Sequence, residues 1–434
     1  MIENKRPGFI PAFILPGIKP YKNVRDKPGM RITLLTQYYP PETGAPQTRL
    51  ALLAHRLTER GHRVTVLTAM PNYPRGKIYP GYGGFFRRET IEGVEVIRTY
   101  LYPSQKASFL PRMGNYFSFV FSSALVGTFA LKKADYLIVE SPPLFLGLAG
   151  YWLSRLKRTR LVFNVADPWP EKLANMGILR PESFLYRVSA RLAAFFYNKA
   201  WLVSAQEKGV AQEIRQNFPK ARTYFFSNGA DTSVFGPEKA TQETRQLLAG
   251  EAENLAVFAG SHNLIQGLDN VLDAAEILKD RLNLRFAFIG EGPEKARLVA
   301  EAERRQLTNV RFFEARPFAE VPPFLASADL LLAPLKKDIP HVVHVKMYEA
   351  LASGRPVILI ANPQGDAAAI LRDNEAGLTV PPGDKEALAA AITTLCADPT
   401  LRQRFGANGR RTAEEQFDRV KLTDRFIDFL ENHL

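Results

Sequence analysis

The sequence predicts an α/β protein of two doubly wound Rossmann-like domains facing each other across a cleft. Three observations predict it. The chain has 434 residues, about three times a typical domain, so two sizeable domains are expected. After Met30 short β-rich runs alternate with longer helical periods, the pattern of a parallel sheet with helices on its faces. The same grammar then restarts after Asn228-Gly229-Ala230-Asp231. Two such halves place ligands at the carboxyl ends of their strands.

In chain order, Ile32 to Thr36 reads as a strand, Ala45 to Arg60 as a helix closed by Gly61, and Val64 to Thr68 as the next strand. Further strands are expected at Val94 to Thr99, Tyr136 to Glu140, Leu161 to Val165 and Leu202 to Ala205. The second half offers strands at Leu255 to Ala259, Leu284 to Ile289, Val310 to Phe313, Leu330 to Ala333 and Pro356 to Ile360. Helices are expected at Leu268 to Lys279 and Pro293 to Arg305, and the tail from about Ala387 reads as helical to the end. The domains are therefore expected at 30–225 and 226–410, with a helix over 411–434 that can return to the first domain. Residues 1–29 carry five prolines and no period, and read as a disordered leader; a start at Met30 is compatible with this.

Composition narrows the class. Apolar residues make up 46% and charged residues 23%, ordinary values for a globular protein. The single cysteine, Cys396, excludes an internal disulfide and a Cys-cluster metal site. The net charge of +13 is unevenly spread: residues 30–217 carry +13, residues 1–29 carry +4 and residues 218–434 carry −4. An anionic partner is thus expected on the N-terminal half, whether a lipid surface, a lipid diphosphate or nucleic acid. No nucleic-acid-binding module with interleaved aromatic and basic residues is present, which disfavours the last.

Two apolar runs accompany this charge. Asn115 to Leu131 is uncharged and bounded by Arg112, Lys132 and Lys133. As a helix it would be about 25 Å long, short of the roughly 30 Å hydrocarbon core of a bilayer. Leu144 to Leu153 is followed by Arg155, Lys157, Arg158 and Arg160. Both runs fit either sheet-covering helices or a membrane-interface site.

Three segments can carry chemistry. Gly44, between the first strand and the first helix, stands where backbone N–H groups can meet a phosphate; the alternative is a glycine required by the geometry of the strand-to-helix turn. Asp167 and Glu171 end a buried strand in a proline-rich loop and can position an acceptor hydroxyl and move its proton; the alternative for Asp167 is a helix cap. Lys346 and Glu349, three residues apart, share one helix face, where an ammonium can meet a phosphate and a carboxylate a ribose diol; the alternative is a surface ion pair.

With these motifs the chain resembles the family 4 retaining glycosyltransferases of the GT-B fold, in particular the bacterial surface-polysaccharide branch that includes the fucosamine transferases. The resemblance runs from Met30 to the C-terminus. It rests on Gln37-Tyr38-Tyr39-Pro40-Pro41-Glu42-Thr43-Gly44, Asp167-Pro168-Trp169-Pro170-Glu171, Asn228-Gly229-Ala230-Asp231, Ala259-Gly260 with Gln266-Gly267-Leu268, Ile289-Gly290-Glu291-Gly292-Pro293, and the segment Lys346 to Val357. It implies that Glu349 binds the donor ribose and that the donor diphosphate lies near Gly44 and the loop after Gly260. Glu291 falls in the same donor-binding set. The chain departs from the family twice: His262 and Gln266 stand where members carry an Arg and a Lys, and His341 stands where many carry a second Glu. Lys346 then becomes the expected cation for the diphosphate.

The expected activity is retaining transfer of a sugar from a nucleotide-sugar donor, UDP-linked by preference, to a lipid-linked or glycan acceptor of surface-polysaccharide synthesis. The catalytic residues expected are Asp167 and Glu171; the donor-binding residues are Gly44, His262, Gln266, Glu291, Lys346 and Glu349. No Asp-x-Asp triplet occurs, so no metal site and no divalent cofactor are expected. The expected location is cytoplasmic, peripheral on the inner face of the plasma membrane. The competing readings are a nucleotide-sugar epimerase of the same fold and, from another class, a basic nucleic-acid-binding protein.

Overall fold

The computed structural model describes residues 29–104, 109–175, 177–280, 283–335 and 341–434. Apart from Gly29, the expected leader lies outside them. The chain divides into two compact units: unit 1 holds the residues up to Asn228 together with Thr423–Leu434, and unit 2 is Gly229–Leu422.

Unit 1 runs β1 (Arg31–Leu35), α1 (Ala45–Glu59), β2 (Arg63–Ala69), β3 (Phe86–Ile91), β4 (Val94–Thr99), α2 (Phe109–Ala130), β5 (Tyr136–Ser141), α3 (Leu146–Lys157), β6 (Arg160–Val165), α4 (Glu171–Asn175), α5 (Phe184–Lys199), β7 (Leu202–Ala205), α6 (Lys208–Asn217) and β8 (Thr223–Phe225). The sheet order is β3-β4-β2-β1-β5-β6-β7-β8. Strand β1 pairs in parallel with β2 and β5, Leu34 lying opposite Val66 and Ile138. The strands are apolar on both sides because helices cover both faces. On one face Leu35, Val139 and Phe163 meet Phe119, Leu153 and Phe196; on the other Leu34, Ile138 and Val162 meet Leu53, Phe426 and Leu430.

The sequence predicts a parallel sheet, and one strand departs from it. Strand β3 runs antiparallel to β4, joined by Glu92 and Gly93, both with positive φ (49° and 82°). That is the backbone a two-residue hairpin needs. Its sequence, Phe-Arg-Arg-Glu-Thr-Ile, is half charged because this edge strand faces solvent, so hydropathy does not reveal it. The three-residue β8 is missed for its shortness.

Unit 2 runs α7 (Gln242–Ala249), β9 (Asn254–Ala259), α8 (Asp269–Leu278), β10 (Leu284–Ile289), α9 (Lys295–Arg304), β11 (Val310–Phe313), α10 (Val321–Ala326), β12 (Leu330–Pro334), α11 (Val345–Ala352), β13 (Val357–Ile360), α12 (Asp366–Asp373), β14 (Gly377–Val380), α13 (Lys385–Ala397), α14 (Pro399–Gln416) and α15 (Arg419–Glu431). Its six strands are all parallel, in the order β11-β10-β9-β12-β13-β14. The helical tail is three helices, because Asp384 and Asp398 each cap a new one by accepting from the N–H of Ala387 and Leu401.

From Thr423 onward α15 belongs to unit 1. There Asp424 accepts from Arg56 at 2.6 Å and Asp428 from Arg60 at 2.6 Å, while both arginine side chains are only 3% exposed. The tail's Phe426 stacks on Phe226 with centroids 4.4 Å apart. Replacing Asp424 by Ala strips partners from two buried guanidinium groups and should cost about 1–3 kcal/mol. Urea unfolding checks this, with exposed Asp373→Ala as the control expected to change nothing; equal stability of both variants would show that the tail docks through its apolar side alone.

Candidate functional site

In an open parallel sheet ligands sit beyond the carboxyl ends of the strands, where the strand order reverses. In unit 2 that point lies between β9 and β12. A cavity of about 340 Å³ opens there, lined by the ends of β9, β10 and β12 and by one face of α11. The residues that bring polar chemistry to it are Ser261, Glu291, Arg316, Lys346 and Glu349.

The glycines at the strand ends make room for this chemistry. A Cβ on Gly260 would fall 1.8 Å from Lys346 Nζ, and one on Gly290 would fall 1.9 Å from the Gly260 carbonyl oxygen. Any side chain at 260 would therefore displace the ammonium. Lys346 lies over the Phe258 ring at 4.8 Å and donates to Gln266 Oε1 at 3.3 Å. Burial pulls its ammonium down to about 8, against the opposing pull of Glu349.

Glu349 follows one turn later on the same face. Burial raises its carboxyl above the usual range, with Arg419 and Lys346 acting against the shift. Its carboxylate has no hydrogen-bond partner among the described residues, yet it lines the cavity. A recessed acceptor without an internal partner is prepared for donors from a ligand. Arg316 adds a second cation at the cavity wall; nothing in the sequence pattern marks it out.

The remaining unit 2 residues expected to bind donor are placed differently. Gln266 is buried and reaches the site through Lys346. Glu291 lines the cavity but is held by Lys295, which also lowers its carboxyl below the usual range. His262 needs correcting: it does not line this cavity. Its imidazole is fully buried among Phe258, Phe288 and Phe312, and neither ring nitrogen has a hydrogen-bond partner. Burial, aided by Lys295 and Lys346, pulls it down to about 4, so the ring is neutral and cannot replace the family's cation. His341, where many family members carry Glu, lies 3.2 Å from Asp366.

Unit 1 carries the other three expected residues. Gly44 precedes α1, whose first turn has Pro46 and no side-chain cap, so its free N–H groups can take an anion. A Cβ there would press on Gln47 Oε1 at 2.6 Å. The start of α1 is anchored by Arg49, 1% exposed, which donates to Glu140 at 2.6 Å and to Asn228 at 3.1 Å. Asn164 and then Ser204 extend that chain of bonds across the sheet, each at 2.7 Å.

Asp167 and Glu171 flank the loop after β6. Asp167 caps no helix: it accepts from the ammonium of Lys172, a partner the sequence reading missed. Glu171 is half-buried, and its carboxyl is raised by desolvation, its own N–H lowering it and Glu213 raising it further. The two carboxyl groups thus differ in environment, one paired with a lysine and one shifted toward holding a proton. Among the described residues no cluster of three metal-ligating side chains occurs.

Comparison with known proteins agrees with the fold of two parallel-sheet units. Residues 44–229 match the family Glycosyl transferase 4-like domain, and residues 239–412 match Glycosyl transferases group 1. Escherichia coli (strain K12) WcaI, named for colanic acid biosynthesis and glycosyl transfer, is 27% identical over 415 residues, 92% of this chain and 99% of WcaI. Pseudomonas aeruginosa WbjE, named as a glycosyltransferase, is 25% identical over 282 residues, 64% of this chain and 70% of WbjE. The solved structure of Anabaena HepE in complex with UDP superposes with a TM-score of 0.68 at 20% identity, covering 93% of this chain and 100% of HepE. The chain belongs to the GT-B glycosyltransferases, with a glycosyltransferase 4-like domain followed by a group 1 domain.

Proposed function

We propose that the chain is a retaining glycosyltransferase that moves a sugar from a UDP-linked donor to a lipid-linked or glycan acceptor of cell-surface polysaccharide synthesis, working at the inner face of the plasma membrane. The carrying observation is the recessed pair Lys346 and Glu349 on one face of α11 in the unit 2 cavity. Glu349 accepts from the ribose diol, and Lys346, with Arg316 nearby, meets the diphosphate. Support for a polysaccharide role comes from relatives named for colanic acid biosynthesis and for an O-antigen chain mannosyltransferase. Support for a uridine nucleotide comes from HepE, solved with UDP.

The bond from the anomeric carbon to the diphosphate breaks while the acceptor oxygen bonds the same carbon from the same face. Same-face attack retains the configuration, and the acceptor proton passes to the departing phosphate. Charge accumulating on that phosphate is stabilised by Lys346. Asp167 and Glu171 orient the acceptor hydroxyl. The sequence has no Asp-x-Asp pair to hold a divalent ion, so the neutralising role is assigned to Lys346, with Arg316 nearby.

Glu349→Ala and Lys346→Ala should each lower UDP affinity and kcat/KM by about ten- to a hundredfold, the equivalent of a lost charge-assisted hydrogen bond of about 1.5–3 kcal/mol. Unchanged thermal unfolding should accompany the loss; near-wild-type titration calorimetry with UDP in both variants would move the donor elsewhere. Transfer should persist in excess chelator. Complete loss under chelation, restored by Mn²⁺, would overturn the metal-free assignment.

The position of Lys346 also predicts a pH dependence. An ammonium titrating at about 8 in the free protein is held protonated by a bound diphosphate, so affinity is full below that pH. It should fall as pH rises through it, by at most about tenfold per unit. Lys346→Arg should bind with a flat profile over the same interval. A wild-type profile equally flat would show that Lys346 does not touch the phosphates.

A further inference from the structure

Helices α2 and α3 lie side by side on one face of the unit 1 sheet. In the first half of α2, Phe117 meets Phe145 with ring centroids 4.7 Å apart. Near its end, Thr128 receives bonds from Trp152 Nε1 at 3.2 Å and from Lys157 Nζ at 2.7 Å. The helices therefore run parallel, and their carboxyl ends coincide.

Each helix buries one stripe and leaves another apolar stripe in solvent. On α2, Phe119, Val120 and Val126 enter the core, while Phe117, Phe121, Leu125 and Phe129, four residues apart, face out; Phe121 is 76% exposed and Phe129 81%. On α3 the same spacing leaves Leu148, Trp152 and Leu156 outside, with Trp152 at 55%. Seven large apolar side chains on two adjacent helices exceed what scattered surface residues explain. No helix among the described residues is long and apolar enough to cross a membrane.

Cations close the carboxyl end of both stripes. Lys132 and Lys133 follow α2 directly, and Arg155 and Lys157 end α3. Beyond them a concavity of about 390 Å³ at the amino ends of β1, β2 and β4 is lined by Arg31, Arg63, Arg88, Lys132 and Lys133, with Glu95 the one acidic residue in its wall. Glu95 is already engaged by Arg88 at 3.3 Å and Thr65 at 3.0 Å. The side chains of Arg31, Arg63, Lys132 and Lys133 have no ion-pair partner among the described residues.

The other end of the ridge leads to the acceptor residues. Tyr116, one residue before Phe117, packs edge-on against Trp169 of the Asp167–Glu171 loop, centroids 6.3 Å apart. We propose that the α2–α3 ridge and its cationic end form the surface by which the protein lies on an anionic phospholipid bilayer. The seven apolar side chains enter the interface and the lysines and arginines take the lipid phosphates. Phe117 and Tyr116 then bring the Asp167–Glu171 loop to the level where a lipid-carried acceptor presents its sugar. This rests on the proposed lipid-linked acceptor only for its purpose; the surface itself is tested without donor or acceptor.

The test is flotation of the full chain with vesicles of phosphatidylcholine alone, or of equal parts phosphatidylglycerol and phosphatidylcholine. The wild type should bind the anionic vesicles and be partly released by salt, because headgroup attraction is screened and apolar insertion is not. Phe121→Ser/Phe129→Ser/Trp152→Ser should lower binding at least about tenfold and abolish the salt-resistant part. Lys132→Glu/Lys133→Glu should remove mainly the salt-sensitive part. Lipids brominated on their acyl chains should quench the wild type more than Trp152→Phe. Unaltered UDP affinity in the triple variant would show it folded and keep the membrane question apart from the donor site. Undiminished vesicle binding by the triple variant, or a wild-type dimer that this variant dissociates, would overturn the proposal.

Discussion

The cavity of unit 2 depends on one steric constraint: the backbone at the ends of β9 and β10 must carry no side chains. Gly260 and Gly290 approach each other so closely that a methyl on either would collide with a neighbour, and at Gly260 the neighbour is the Lys346 ammonium. The space withheld from side chains admits a half-buried lysine, and desolvation then lowers its proton affinity. Phe258 supports the charge from below and Gln266 from the side. Glycine, cation and carboxylate thus form one unit, since α11 holds Glu349 one turn from Lys346.

Unit 1 solves the corresponding problem differently. Its strands end in buried polar groups, Glu140, Asn164 and Ser204, which would be costly if unpaired. They are joined in one chain of bonds that starts at Arg49. Because Arg49 belongs to α1, the same chain fixes the helix whose uncapped first turn follows Gly44. A buried ion pair of this kind adds little net stability over an apolar replacement, so its contribution lies in fixing where α1 begins.

The parts legible in the sequence are those set by periodicity and by backbone geometry. Strands such as β5, buried at every position, read as continuous apolar runs, and the Gly260 and Gly290 turns stand out because only glycine fits. Less legible is anything decided by tertiary direction. His262 lies two residues beyond Gly260, in the stretch where a donor contact is expected, yet its ring turns into an aromatic cluster built from β9, β10 and β11. Lys172 and Arg316 carry no pattern of their own; each matters through a partner or a cavity that only the folded chain assembles. The edge strand β3 escapes because solvent, not the core, chooses half its residues. Helix α2 is legible as an apolar segment, but which half of it is buried is not.

The tail of α15 carries a consequence for the order in which the protein is made. Arg56 meets Asp424 across 368 residues of sequence, and Phe226 and Tyr136 likewise wait for partners from the last turns of the chain. Unit 2 is continuous from Gly229 to Leu422 and can close while its final residues leave the ribosome. Unit 1 emerges first and is completed last. Throughout synthesis of the second unit, the first must hold a partly open core and two guanidinium groups short of their carboxylates, so translation itself sets the time at which unit 1 becomes whole.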